Sequence, residues 1–255
     1  MTAVDTAYRQ IRTRARLLLS RFPIPDFYGD HPRAHDISQR IFKNDPLIAK
    51  VRAFITDTLE NDFGHGMEHA VKVALDAGAL TIIESDAAGF TEKTGDRRTI
   101  LVQCASLLHD ILRKKKHHAI HGAEYARKIL PRFELDPDEI EDVCLAIRNH
   151  EAFQSTVETE SPEGALVSDC LYDADKFRWG PDNFYHTLWD MVAFYHIPLT
   201  SFVERYPSGM KRMRQIRRSF RTGTGKKYGP QFIDIGLAVG EELYEFIQTQ
   251  FGPFL

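Results

Sequence analysis

Apolar residues recur at intervals of three and four along most of this chain. Leu47, Val51, Phe54, Ile55 and Leu59 fall on one helical face, and Val71, Val73, Leu75 and Leu80 continue in the next segment. Strand-like alternation is nearly absent. The same periodicity predicts further helices over about 97–112, 118–130, 136–151, 162–177, 184–195, 201–221 and 230–251. Start signals sharpen three of them: Asp96 precedes the first, and Asp136-Pro137 and Ser161-Pro162-Glu163 each put proline into a first turn. The proline-rich stretch Phe22-Pro23-Ile24-Pro25, leading to His31-Pro32, predicts a loop between an N-terminal helix and the body. An all-α fold follows, an irregular helical bundle. Its expected organisation is an N-terminal helix and loop over 1–45, a core over 46–200, and C-terminal helices over 201–255 packing on that core.

Composition narrows the function classes more than it changes the fold. With 255 residues, 43% hydrophobic and 27% charged, the chain is long enough for one substantial core and ordinary for a globular enzyme. A net charge of -3 supplies no electrostatic reason to expect a nucleic-acid polymer. Cys104, Cys144 and Cys170 are odd in number, widely spaced and without a C-x-x-C pair, so they read as buried thiols in a reducing compartment. The Arg-rich N-terminus faintly resembles an organelle transit peptide but reads as a solvated amphipathic helix. Its short apolar run, Leu17 to Leu19, makes neither a secretory signal nor a membrane span. A cytoplasmic protein with no membrane partner is expected.

Histidine placement carries the chemistry. Of 11 histidines, five lie between His109 and His150. His65 and His69 stand four apart, on one helical face or at a helix entrance. The apolar run Ala105-Ser106-Leu107-Leu108 ends in His109-Asp110. Adjacent helical residues point about 100° apart, so this pair can touch one cation only where a helix end meets the site. Asp173-Ala174-Asp175-Lys176 adds two acids that would face apart on a helix. Neutral imidazoles and carboxylates held by rigid helices are what a divalent cation requires.

His-x-x-x-His followed by Val71-Lys72-Val73, then Leu-Leu-His-Asp, then Asp-Ala-Asp-Lys, in this order and at these separations, resembles the HD superfamily of metal-dependent phosphohydrolases over about residues 50–180. The resemblance implies a bundle of the HD-domain type and metal ligands at His69, His109, Asp110 and Asp175, leaving Asp173 as a supporting or surface acid. It implies one or two divalent ions, with manganese, magnesium, cobalt, nickel, zinc and iron not distinguished. His121 and His150 occupy places where relatives carry histidines that line the site or bind a second metal, and His65 is comparable. Arg178 stands where relatives that hydrolyse small nucleotides often carry a second aspartate. His117 and His118, following Arg113-Lys114-Lys115-Lys116, read as part of a solvated basic loop, and His31, His35, His186 and His196 as structural.

The implied reaction is hydrolysis of a small phosphorylated substrate, a phosphate ester or foremost a nucleotide, by a metal-activated water. Asp110 would orient or deprotonate that water, ahead of Glu68. Lys176, then Lys72, Arg178 and the 113–116 cluster, would neutralise phosphate oxygens. A homodimer is compatible with such helical hydrolases. The Gly- and Lys-rich segment 221–229 lacks the Walker pattern and reads either as a loop over a substrate phosphate or as a surface linker. Three rival readings stand beside this one. Additional histidines suit a di-iron oxygenase of the same fold. His65-Gly66-Met67-Glu68-His69 satisfies H-x-x-E-H, the motif of inverted zinc metalloproteases. The third is a metal-binding module without turnover.

Overall fold

Two helices, α5 (Met67–Ala87) and α6 (Glu92–Leu108), are buried on several faces rather than along one stripe. In α5 Ala70, Val73, Ala74, Ala77, Gly78, Ala79 and Leu80 are all buried, and in α6 every residue from Leu101 to Leu108 is. A helix that is apolar nearly all round must be enclosed by others. The computed structural model, which describes residues 3–56 and 66–252, shows the enclosure. Helix α3 (Pro32–Asn44) packs on both, α4 (Pro46–Thr56) on α6, and α8 (Pro137–Asn149) and α9 (Pro162–Phe177) close the remaining sides, with α7 (His118–Ile129) against α8. The long α12 (Gly223–Phe251) crosses α5 and α9 and carries α1 (Ala3–Leu19) and α11 (Leu199–Ile216). Short helices α2 (Asp26–Asp30) and α10 (Leu188–Phe194) fill the gaps, and a π-helical turn, Asn183–Thr187, leads into α10. The described residues contain no strand, so the fold is all-α as expected.

Local signals explain most helix starts. Asp136 and Glu139 form a reciprocal capping box with Pro137 in the first turn of α8, and Ser161 Oγ accepts from Gly164 N at 2.9 Å to start α9. Helix α6 starts earlier than predicted: the cap is Thr91, whose Oγ1 accepts from Thr94 N at 3.2 Å, not Asp96. Helix α3 occupies sequence expected to be loop. Its buried face is Ala34, Ser38 and Phe42, so a single large apolar residue marks it and the period is hard to see. Ser38 is held between helices, its Oγ donating to Leu75 O at 2.7 Å while Gln103 Nε2 donates to its carbonyl at 3.0 Å. A Cβ on Gly78 would collide with Ser38 and Gln103, which is why α5 carries glycine at this crossing.

The glycine-rich segment after Arg221 is also helical and opens α12. Asp173 Oδ1 accepts from Arg221 N and Oδ2 from Thr222 N, both at 2.8 Å, and Glu84 accepts from Thr224 N at 2.6 Å, so two acids hold the helix entrance. Burial pushes the Asp173 carboxyl up to about 6, opposed by these donors. A Cβ on Gly225 would strike Asp173, and one on Gly229 would strike the Phe220 ring. Glycine here permits close packing. The three cysteines are buried and free. No helix among the described residues is long and apolar enough to cross a membrane.

Candidate metal centre

Five helix ends converge on one place. His69 is the third residue of α5, His109-Asp110 directly follows α6, His118 opens α7, His150 directly follows α8, and Asp175 lies in the last turn of α9. All six side chains are buried. The pair His109-Asp110 sits at a helix end, where neighbouring side chains can turn toward a common point.

Four of them form a first cluster. His69 Nε2 stands 3.3 Å from His109 Nε2, 3.4 Å from Asp175 Oδ1 and 3.8 Å from Asp110 Oδ2, and His109 Nε2 stands 3.4 Å from Asp110 Oδ2 and 3.8 Å from Asp175 Oδ1. Ligand atoms bound at about 2.0–2.2 Å to one ion lie roughly 3–3.6 Å from adjacent ligands and farther from opposite ones; His69, His109 and Asp110 are grouped closely enough to share a cation, and Asp175 Oδ1 borders the two histidines. His109 Nδ1 donates to Ser106 O at 2.6 Å, which fixes the tautomer and leaves the Nε2 lone pair facing the cluster. Lys176, buried, donates to Asp175 Oδ2 and to His150 O at 2.8 Å, and so leaves Asp175 Oδ1 to the histidines.

A second cluster shares Asp110. Its other oxygen, Oδ1, lies 3.3 Å from His118 Nε2 and 3.5 Å from His150 Nε2, yet among the described residues it completes no hydrogen bond. His150 Nδ1 donates to Ile147 O at 2.7 Å, again turning Nε2 inward. A buried carboxylate oxygen without a donor is costly unless something else satisfies it. With the oriented His150 and the His118 ring beside it, this donor set is grouped closely enough to hold a second cation. Arg113, whose Nη1 lies 2.8 Å from His118 Nε2, is the nearest alternative donor and stands 3.9 Å from Asp110 Oδ1.

The electrostatics agree with a cation-binding centre. Burial would push the Asp110 carboxyl up, but the adjacent His109 and Arg113 outweigh it and hold it well below the usual range. Burial likewise opposes ionisation of Asp175, and Lys176 and His69 reverse that. Burial lowers His150 to about 4, which keeps it neutral and able to donate a lone pair at neutral pH. At His109 burial pulls the pKa down, and the field of Asp110 and Asp175 lifts it above the ordinary value. The field at that point favours positive charge.

Several expectations change here. His121 is 46% exposed at its side chain and faces Glu124 at 3.4 Å, away from both clusters; His118, expected in a solvated basic loop, takes the inward place. The buried stripe of α7, His118, Ala119, Gly122, Ala123 and Ala126, was the available signal, because its small residues at helical spacing leave His121 on the other face. Arg178 is saturated by acids: it pairs with Asp76 and Asp182 and donates to Tyr28 at 3.1 Å. Lys72 is half-exposed and pairs with Glu68 at 3.0 Å and Asp182 at 3.6 Å. Glu68 is exposed on Lys72 and His186, which leaves the H-x-x-E-H reading without its base. His65 and Leu59 lie outside the described residues.

Both clusters open into one cavity of about 530 Å³, lined also by Arg113, Lys176 and Arg178 and by residues of α10 and α11. A match to the family model described as HD domain covers residues 66–178, the segment that holds all six converging side chains. No curated protein and no solved structure matches the chain. Residues 66–178 are thus an HD domain, the domain that defines the HD superfamily.

Proposed function

We propose that this chain hydrolyses a small phosphorylated substrate, a phosphate ester or nucleotide, at His69, His109, Asp110 and Asp175, with a second divalent ion at Asp110, His118 and His150. The observation that carries this reading is the Asp110 carboxylate, which presents one oxygen to each cluster while Oδ1 has no hydrogen bond among the described residues. A divalent ion held here supplies a water of lowered pKa and offsets negative charge on the phosphoryl group. The chain's own groups do the rest. Asp110 orients the attacking water and takes its proton. Lys176 keeps Asp175 in place through its short contact, and Arg113, at the cavity wall, binds phosphate oxygens. The hydrogen bonds from His109 and His150 to backbone carbonyls hold both imidazoles in the tautomer this requires.

We also propose a division at 45/46 and 200/201, which keeps every candidate ligand in the central segment, and a cytoplasmic location, which the buried free cysteines suit. Homodimer formation belongs to the same proposal and is read by light scattering. The reading is tested by stripping the protein with a chelator, reloading it with each of manganese, magnesium, cobalt, nickel, zinc and ferrous iron, and following phosphate release from a panel of nucleotides and simple esters. Phosphate release that depends on metal and disappears in Asp110→Ala is expected. Metal binding without release from any ester would overturn it. A second reading, a di-iron oxygenase, is favoured by the two extra histidines His118 and His150; iron-dependent oxygen uptake supports it, and full activity under anaerobic conditions removes it.

A further inference from the structure

We propose that the phosphate is carried by an apolar alcohol, so that the natural substrate is an alkyl or aryl phosphomonoester and not a nucleotide. This deepens the phosphohydrolase reading and rests on it. The cavity that exposes both clusters continues over a wall built from α10, α11 and the π-helical turn, where Leu188, Met191, Val192, Phe202, Met210 and Met213 present apolar side chains. Its volume of about 530 Å³ falls within the roughly 300–1,000 Å³ of small-molecule sites.

The cavity's exposed edge carries Arg205 and Arg212, but three polar groups deeper in the wall are already engaged. The Tyr206 hydroxyl donates to Gly240 O at 2.8 Å, Arg178 is held by Asp76, Asp182 and Tyr28, and Asn183 Nδ2 is directed at Met213 Sδ at 4.0 Å. A nucleobase placed against Val192, Phe202, Met210 and Met213 would bury ring nitrogens and exocyclic groups without partners, which burial penalises. An alkyl or aryl group loses nothing. Three methionines in the wall add unbranched, polarizable side chains that adapt to irregular apolar shapes. Apolar surface also reaches the mouth. Phe153 and Tyr195 line the cavity while 56% and 58% exposed, and Phe153 holds a left-handed backbone, φ 65°, which a bulky residue rarely adopts and which concentrates at functional positions.

The reaction balances without a further reagent. Water oxygen forms a new bond to phosphorus while the bond from phosphorus to the alcohol oxygen breaks. The proton leaving water ends on the departing alcohol oxygen. The products are the free alcohol and inorganic phosphate.

The test uses metal-reloaded full-length protein and compares kcat/KM for methyl, butyl, hexyl and octyl phosphate, 1-naphthyl phosphate and the nucleoside monophosphates. Binding of non-hydrolysable octylphosphonate is read separately from the fluorescence of Trp179, which lines the cavity. We expect kcat/KM to rise roughly tenfold for each two methylenes until the cavity is filled. Met210→Trp, which fills the wall, should flatten that rise and weaken octylphosphonate binding; should it fail to fold, Met191→Trp on the half-buried rim provides the same comparison. A flat chain-length profile, or nucleoside monophosphates turned over more efficiently than octyl phosphate, overturns the apolar substrate and leaves hydrolysis standing. If no ester is hydrolysed but octylphosphonate binds and the tryptophan variant abolishes binding, the apolar ligand stands and hydrolysis falls. Absence of both turnover and octylphosphonate binding overturns the inference as well.

Discussion

Two groups of buried acids lie on the same helices, and they are completed differently. Asp76 of α5 and Asp182, just past α9, are closed by a group from the chain itself: the buried Arg178 guanidinium pairs with both carboxylates, with Tyr28 joining at 3.0 Å from Asp76. Arg178 Nε is a buried atom of this group that makes no hydrogen bond among the described residues. Asp110 and Asp175 are surrounded instead by imidazoles, two of which, His109 and His150, are anchored to backbone carbonyls, and among the described residues Asp110 Oδ1 completes no hydrogen bond. One arrangement is finished by folding. The other asks for a cation. Carboxylate content is alike and Asp76 is buried as Asp110 is, so what separates structural from functional acids is whether the chain supplies the compensating charge.

That contrast can be broken at its two centres. The largest expected effect is on the catalytic side. Asp110→Ala should lower kcat for phosphate release by roughly 10²- to 10⁴-fold, reduce bound metal measured by elemental analysis, and leave helical circular dichroism intact. Unchanged turnover in that variant contradicts the role given to the carboxylate. Arg178→Ala should behave in the opposite manner, costing about 3–5 kcal/mol in denaturant unfolding because it strands two buried or half-buried acids, while metal content per folded molecule stays the same. A variant as stable as the parent would show that Arg178 does not close its group.

Smaller effects sharpen the comparison. His118→Ala should remove one equivalent of metal, whereas His121→Ala, three residues along α7, should change neither metal content nor stability by more than about 0.5 kcal/mol. Equal effects of the two substitutions would return His121 to the site. The smallest effect lies far from the centre. Burial opposes ionisation of Glu139, yet its bidentate pair with Arg97 and the Asp136 amide lower its pKa, so its contribution is present above the ordinary carboxylate range near 4.5 and is lost as pH falls through the depressed value. Partly exposed as Arg97 is, Glu139→Gln should cost roughly 1 kcal/mol at neutral pH, and the difference from the parent should close in acid. A gap that persists at low pH would assign the effect to packing.

Much of the candidate centre was legible because its residues stand at helix ends, where local signals concentrate. His69 follows a helix entrance, His109-Asp110 ends an apolar run, and Asp173 and Asp175 precede the end of α9, so local order put them forward as candidates and the resemblance to the HD superfamily chose Asp175. His118 was obscured by the basic run before it. The turn from 110 to 117 ends with His117 in a left-handed conformation, φ 56°, and from there His118 enters α7 pointing inward while Lys114, Lys115 and Lys116 stay exposed. Arg178 was misjudged for the reverse reason: proximity to a ligand in sequence says nothing about Asp76, which arrives from a helix about a hundred residues away.

By itself the sequence determined that the chain is helical, where most helices begin, and that imidazoles and carboxylates of metal-binding type stand at their ends, since periodicity, capping and ligand chemistry are properties of neighbouring residues. Tertiary packing alone decided that Asp110 divides its oxygens between two clusters and that Gly225 and Gly229 belong to a helix pressed against Asp173 and Phe220. It also decided that the cavity behind the centre is walled by methionine and leucine. Each of these depends on which distant surfaces meet, and burial acts on the meeting surfaces rather than on the local run of residues.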